Sequence, residues 1–136
     1  MTNSNLVDCS AKDEIEAAFV TLVRDQIDAL FVGPDTLFIS QRDQLVTLTA
    51  RYRIPATFST REEAEAGGLM SYGTDIQAMW HQVGIYAGQI LKGAKPADLP
   101  VMQSTKFELV INSQTARALG IEIPNSLQLL ADEVIE

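Results

Sequence analysis

Residues Gly67 to Lys92, GGLMSYGTDIQAMWHQVGIYAGQILK, constrain the fold more than any other stretch. Two glycines lead into the short apolar run Leu69-Met70-Ser71-Tyr72. Gly73 follows, and then a long helical pattern. This order predicts a strand, a glycine turn and a helix. In α/β proteins a strand end that feeds a helix start is where small ligands are usually held. The N–H groups opening such a helix have no partner inside it, and the helix dipole favours an anion there. Thr74 or Asp75 is placed to cap the helix. Ile76, Met79, Trp80, Val83, Ala87, Ile90 and Leu91 form its apolar stripe, and Gly93 suits the position past its end.

The rest of the chain reads as the sheet around this turn. Leu6-Val7 is expected to be the last part of a strand. Ser10 or Asp13 can cap a helix whose face is Ile15, Ala18, Phe19, Leu22 and Val23, ending near Gln26. Ala29 to Val32 is a continuous apolar run closed by Gly33-Pro34, as for a strand covered on both faces. Asp35 can cap a helix carrying Phe38, Leu45, Leu48 and Tyr52. Pro55 to Phe58 is the next strand, and Thr60 with Glu63 has capping-box spacing for a short helix through Ala66. Leu69 to Tyr72 is the fourth strand. Lys95 to Pro100 reads as an extended connector. Phe107 to Ile111 is the fifth strand, followed by short helices from Asn112 or Ser113 to Leu119 and from Pro124. Glu133-Val134-Ile135 is a candidate terminal strand. Alternation of strand and helix predicts an α/β fold with a mainly parallel sheet.

Composition narrows the function. At 136 residues, a single domain is the natural expectation. The 18 acidic and 10 basic residues give a net charge of −8, which argues against nucleic acid and anionic membrane as partners. No apolar run approaches the roughly 20 residues of a membrane span. Met1 to Asn5 is polar, without the apolar stretch of a signal peptide, so the chain as it stands is expected to be cytoplasmic. Cys9 is the single cysteine, which excludes a disulfide framework, and no charged cluster beside it would activate the thiol.

No catalytic constellation is visible. His81 is the single histidine and has no partner at a metal-binding or catalytic spacing. The phosphate-loop, dinucleotide and nucleophile-elbow patterns are absent, so neither cofactor nor metal is expected and a binding role outranks an enzymatic one. Asp35 and Asp75 each follow a strand and open a helix. Both therefore fall on the same edge of a parallel sheet. N-capping, worth about 1 kcal/mol, accounts for each. The alternative is that one or both hold a ligand ammonium group. Asp28, Asp35 and Lys106 superficially match a phosphoacceptor receiver, but the acidic pair such a domain needs after its first strand is missing.

Several motifs carry a family resemblance: GGLMSYG at Gly67–Gly73, ILKGAKPADLPV at Ile90–Val101, TKFELVIN at Thr105–Asn112, TARALGI around Ala116, and the ending ADEVIE. Val32-Gly33-Pro34-Asp35 fits the same pattern. From about Ala17 to Glu136 the chain resembles the C-terminal half of ABC-transporter substrate-binding proteins of the periplasmic-binding-protein type I fold, tryptophan/tyrosine type. The resemblance implies a two-lobed protein that closes on a small organic ligand, plausibly an amino acid, and docks on an ABC permease. It implies that residues 1–136 are most of the second lobe, a three-layer Rossmann-like lobe, plus the hinge-crossing segments. The helix at 74–93 is then expected to pack on a first lobe or on a partner subunit, making a homo-oligomer through 75–92. Full-length relatives of this kind are periplasmic or membrane-anchored and extracytoplasmic. On matching positions, Gly33, Pro34 and Asp35 form one ligand wall, and Ser71, Tyr72, Gly73, Thr74 and Asp75 the hinge side. Asp35 or Asp75 would meet an ammonium, Ser71 and the amides near Thr74 a carboxylate, and Tyr72 an apolar side chain. The competing reading is a cytoplasmic effector-binding or sensor domain of the same fold.

Overall fold

The computed structural model describes residues 6–103 and 106–136; Met1–Asn5, Ser104 and Thr105, the last being the first residue of TKFELVIN, lie outside the described residues. Helix α1 spans Lys12–Arg24 and buries Ile15, Phe19 and Leu22 of the predicted face; Ala18 is half-buried and Val23 is exposed at its margin. Its start is held by Glu14, whose carboxylate accepts from the amides of Ser10 and Ala11 and from the Ser10 hydroxyl. Ser10 therefore donates to the cap instead of forming it. Strand β1 is Leu30–Phe31, and the helix expected after it is broken in two, α2 at Thr36–Ser40 and α3 at Arg42–Tyr52. The apolar positions survive the break, because Leu45 and Leu48 are buried and Phe38 and Tyr52 pack against the same core.

Strand β2, Ala56–Phe58, leads through the Thr60 cap into α4, Arg61–Glu65. Strand β3, Met70–Thr74, enters α5, Ile76–Leu91, which Asp75 caps through a 2.9 Å bond from the Ala78 amide. A single 3₁₀ turn at Pro96–Asp98 follows. Then come β4 (Phe107–Asn112), α6 (Ser113–Leu119), α7 (Asn125–Leu130) and β5 (Glu133–Ile135). Gly120, at φ 72°, closes α6 in the left-handed conformation that glycine adopts without strain.

The five strands form one sheet in the order β1-β2-β3-β4-β5. Strands β1, β2 and β3 are parallel, β4 and β5 are parallel, and β3 pairs antiparallel with β4 from Met70↔Ile111 to Thr74↔Phe107. The α/β class and the mainly parallel sheet are as expected. Two details differ. Leu6-Val7 forms no strand, whereas the candidate terminal strand Glu133–Ile135 forms and completes the five. The segment between β3 and β4 is also not a parallel crossover. A crossover helix packs back on its sheet; α5, about 24 Å long at 1.5 Å per residue, leaves from one edge and the chain returns to that same edge.

The main core joins Ile15 and Phe19 of α1, Leu45, Val46 and Leu48 of α3, Ile54, and Ala56 with Phe58 of β2. Val110 and Ile111 on β4 and Ala116 on α6 are buried as well. Asn112 knits the second half together: its amide donates to the Ala64 carbonyl, and its Oδ1 accepts from the Thr115 amide to cap α6. Where β3 passes the end of β2, Gly73 is in such close contact that a Cβ there would sit 2.0 Å from the Ser59 carbonyl oxygen. Only glycine permits this approach. Gly73→Ala must displace backbone on one strand, so it is expected to lower the midpoint of urea unfolding by an amount equivalent to about 1–3 kcal/mol, measured by circular dichroism.

Candidate ligand-binding edge

Three parallel strands end on one edge of the sheet, and the antiparallel β4 begins there. The edge therefore carries Gly33–Asp35 after β1, Ser59–Arg61 after β2, Gly73–Asp75 after β3 and Lys106–Glu108 at the start of β4. The two groups of residues singled out in the sequence thus share one edge, with the end of β2 between them. An open polar cleft of about 500 Å³ lies here, lined by Arg61, Glu62, Thr74, Asp75, Gln77 and Lys106 among others. A second cleft of similar size lies away from this edge, lined by residues that include Arg53, Gly67, Thr115 and Leu119.

The predicted residues have unequal freedom. Gly33 has open space around its Cα, and Pro34 and Asp35 are exposed. Asp35 Oδ1 accepts from the Leu37 amide at 2.7 Å, the predicted cap of α2. Asp75 is more committed: Oδ1 accepts from Ala78, and Oδ2 accepts from Lys106 Nζ at 2.7 Å. The Lys106 ammonium, followed by the Ala78 amide, holds the Asp75 carboxyl below the usual range. The Asp75 amide also donates to the Lys106 carbonyl, so both chain segments leading to α5 are tied together at their base. Ser71 is 2% exposed and sits inside the sheet, paired with Phe58 on one side and Val110 on the other. Tyr72 is 55% exposed and stacks on Phe107, ring centres 5.8 Å apart.

The turn Ser59-Thr60 carries the feature that spacing alone read only as a cap. Glu63 is fully buried, and its Oε2 accepts from the amides of Ser59 and Thr60 and from the Thr60 hydroxyl. Glu63 Oε1 and Ser59 Oγ are buried without a hydrogen-bond partner among the described residues. The capping-box pattern was legible; that it shapes the turn at the centre of the edge depends on strand order, which spacing does not contain. Arg61 was missed. Its Nε donates to Glu65 at 2.6 Å, and its terminal nitrogens reach Glu108 on β4 and Glu133 on β5. Bonds to Glu65 and Glu133 raise the guanidinium pKa further above its high ordinary value. With three carboxylates on one cation, this side of the edge is acidic.

Cys9 has its thiol pushed up by burial and by the nearby Glu14 and Asp8, as an inert cysteine should. His81 is exposed on α5. Among the described residues no group of three His, Cys, Asp or Glu is placed to hold a metal ion, and no helix is long and apolar enough to cross a membrane.

Residues 2–135 match the family of ABC transporter substrate binding proteins. The chain belongs to that family. It is a family of binding proteins, not enzymes. A tyrosine-binding protein from Clostridioides difficile (strain R20291) is 28% identical over 113 residues, which is 83% of this chain and 32% of that protein. The solved structure of an ABC domain in complex with L-Trp from Streptococcus pneumonia is 34% identical with a TM-score of 0.80, covering 90% of this chain and 42% of the other. The ligand-free, open structure of a substrate binding protein with adhesive properties from Clostridium difficile is 25% identical with a TM-score of 0.63, covering 93% and 42%. A conserved domain protein from Vibrio cholerae, 24% identical with a TM-score of 0.80, shares the fold. The chain thus spans about a third to two fifths of the length of these relatives.

Burial raises the Glu63 pKa above its ordinary 4.5, against the opposing bonds from Thr60 and Ser59. A group with a raised folded pKa contributes stability that is complete below its unfolded pKa and is lost as pH rises through the folded one. The difference in unfolding free energy between the wild type and Glu63→Gln is therefore expected to move against the wild type as pH climbs above 4.5. Chemical denaturation at a series of pH values checks this.

Proposed function

We propose that this chain is one lobe of the solute-binding component of an ABC importer, and that its ligand is an amino acid with an aromatic side chain. The observation that carries the reading is the convergence of Gly33–Asp35, Ser59–Arg61 and Gly73–Asp75 on the single edge from which α5 departs. Ligands of open α/β sheets bind outside the carboxyl ends of the strands, and these are those ends. The L-Trp and tyrosine named for two relatives support the choice of ligand class.

Asp35 is the candidate for the ligand ammonium, because Oδ1 alone is engaged and the side chain is exposed. Asp75, with both oxygens occupied, acts at the hinge with Lys106. Gly33 and Pro34 form the wall beside Asp35. Thr74 and Gly73 fix the hinge strand, Ser71 packs beneath it, and Tyr72 with Phe107 offers an exposed aromatic platform. Mechanism is closure without chemistry. The ligand drives it by binding the closed arrangement more tightly than the open one. In a longer two-lobed protein the face of α5 belongs to the interlobe region, and the loaded receptor docks on a permease outside the cytoplasm.

Thermal denaturation with a panel of amino acids tests the ligand class. A ligand at 100 times its Kd stabilises the fold by about 2.7 kcal/mol, so L-tryptophan or L-tyrosine is expected to raise Tm while aspartate and lysine do not. Asp35→Asn is expected to weaken binding roughly tenfold, the equivalent of 1.4 kcal/mol, and so to cut the stabilisation at the same ligand concentration to about half. A folded chain whose Tm responds to no aromatic amino acid at millimolar concentration would overturn the reading.

A further inference from the structure

Two carboxylates in this chain make the same bonds in opposite surroundings. Glu14, in the first turn of α1, accepts from the amides of Ser10 and Ala11 and from the Ser10 hydroxyl. Glu63, in the first turn of α4, accepts the matching set, the amides of Ser59 and Thr60 and the Thr60 hydroxyl. Glu14 is exposed, and its bonds, led by the one from the Ser10 amide, hold its carboxyl below the ordinary range. Glu63 is fully buried, burial holds its carboxyl above that range, and Oε1 has no partner among the described residues. Arg61, two residues away, pairs with Glu65, Glu108 and Glu133 instead. An exposed carboxylate thus suffices to open a 13-residue helix, while the buried one opens a helix of 5. Burying a carboxyl with one oxygen unpaired is destabilising, so helix capping alone does not account for Glu63.

What sets Glu63 apart is the turn it holds. Ser59-Thr60 ends β2, between the β1 end that leads to Asp35 and the β3 end that leads to Asp75. Its three bonds meet on one oxygen, Oε2, at 2.9 to 3.2 Å, so the turn has a single anchor. The Ser59 carbonyl then meets the Gly73 backbone so closely that no Cβ fits there. The turn is thereby clamped between Glu63 and the end of β3. We propose that Glu63 is a positioning residue for ligand binding: without touching the ligand, it holds the Ser59-Thr60 turn against Gly73 and so fixes the spacing between the Asp35 and Asp75 sides of the edge. The inference rests on the ligand edge proposed above. Being fully buried, Glu63 is out of a ligand's reach and acts only through the donors it accepts from. Glu63→Gln keeps one carbonyl oxygen for those donors. Glu63→Leu fills the buried space, a replacement that buried carboxylates often tolerate without loss of stability, and offers no acceptor.

Calorimetric titration of the 136-residue chain with L-tryptophan tests this, with circular dichroism as the check on folding. Glu63→Gln is expected to bind within about threefold of the wild type, and folded Glu63→Leu roughly tenfold more weakly. A merely structural role would make affinity follow the ligand-free Tm across the two variants; a positioning role makes it follow the acceptor. A folded Glu63→Leu variant that binds as tightly as the wild type overturns the proposal, and so does a Glu63→Gln variant as weak as Glu63→Leu. Hydrogen exchange of the wild type decides the matter if Glu63→Leu does not fold. The Ser59 and Thr60 amides are expected to be protected without ligand, and exchange at the rate of an unstructured chain overturns the anchor. A wild-type chain that binds no L-tryptophan overturns the ligand edge and this proposal together. Equal binding by wild type and both variants overturns the proposal alone and leaves the edge standing.

Discussion

The antiparallel pairing of β3 with β4 is the constraint on which the rest of the structure depends. Five consecutive residue pairs hold it, from Met70↔Ile111 to Thr74↔Phe107. It lies in the middle of the sheet and joins the two parallel sets, β1-β2-β3 and β4-β5. Because β4 runs back, the chain that leaves along β3 must return to the same edge, and everything between, including α5, is placed outside the sheet. One pairing thus defines both the edge that gathers the loops and the point from which α5 departs. The Asp75–Lys106 contacts close the base of that excursion.

The forces holding the edge differ in kind. The Asp75–Lys106 pair joins a well-covered carboxylate to a largely exposed ammonium, and Arg61 is 30% exposed, so solvent screening limits what these ion pairs add to stability. They fix position more than they stabilise. The Ser59-Thr60 turn is different. It is shaped by a fully buried carboxylate whose Oε2 takes three hydrogen bonds, and it is locked against β3 by the absence of a side chain at Gly73. Burial strengthens such contacts and makes their loss costly.

Much of this was legible in the sequence. The periodicity of Ile15, Phe19 and Leu22 gave α1, and Asp35 before a helical run named its cap; of Thr74 or Asp75 and of Asn112 or Ser113, the structure uses Asp75 and Asn112. The break at Gln41 was not legible, since the apolar spacing of Phe38, Leu45 and Leu48 passes through it unaltered. Leu6-Val7 has strand composition but no strand partner in the sheet. The direction of β4 was also hidden, because local patterns are the same for parallel and antiparallel neighbours of a buried strand. At the edge, residue types suggested that Asp75 could hold an ammonium. The structure shows its oxygens occupied by Ala78 and by Lys106, which is 31 residues away in sequence. Arg61 escaped notice for the same reason: its partners Glu108 and Glu133 come from strands far along the chain.

The stretch around Gly73 thus combines two roles, closing the edge against Ser59 and launching α5 beyond the sheet. The central claim is that the edge formed by Gly33, Ser59 and Gly73 is the ligand face. Amide chemical-shift mapping during titration with L-tryptophan tests this most directly. The account predicts perturbations concentrated at Gly33–Asp35, Ser59–Arg61 and Gly73–Asp75. Perturbations confined instead to Arg53, Gly67 and Thr115, around the other cleft, would contradict it.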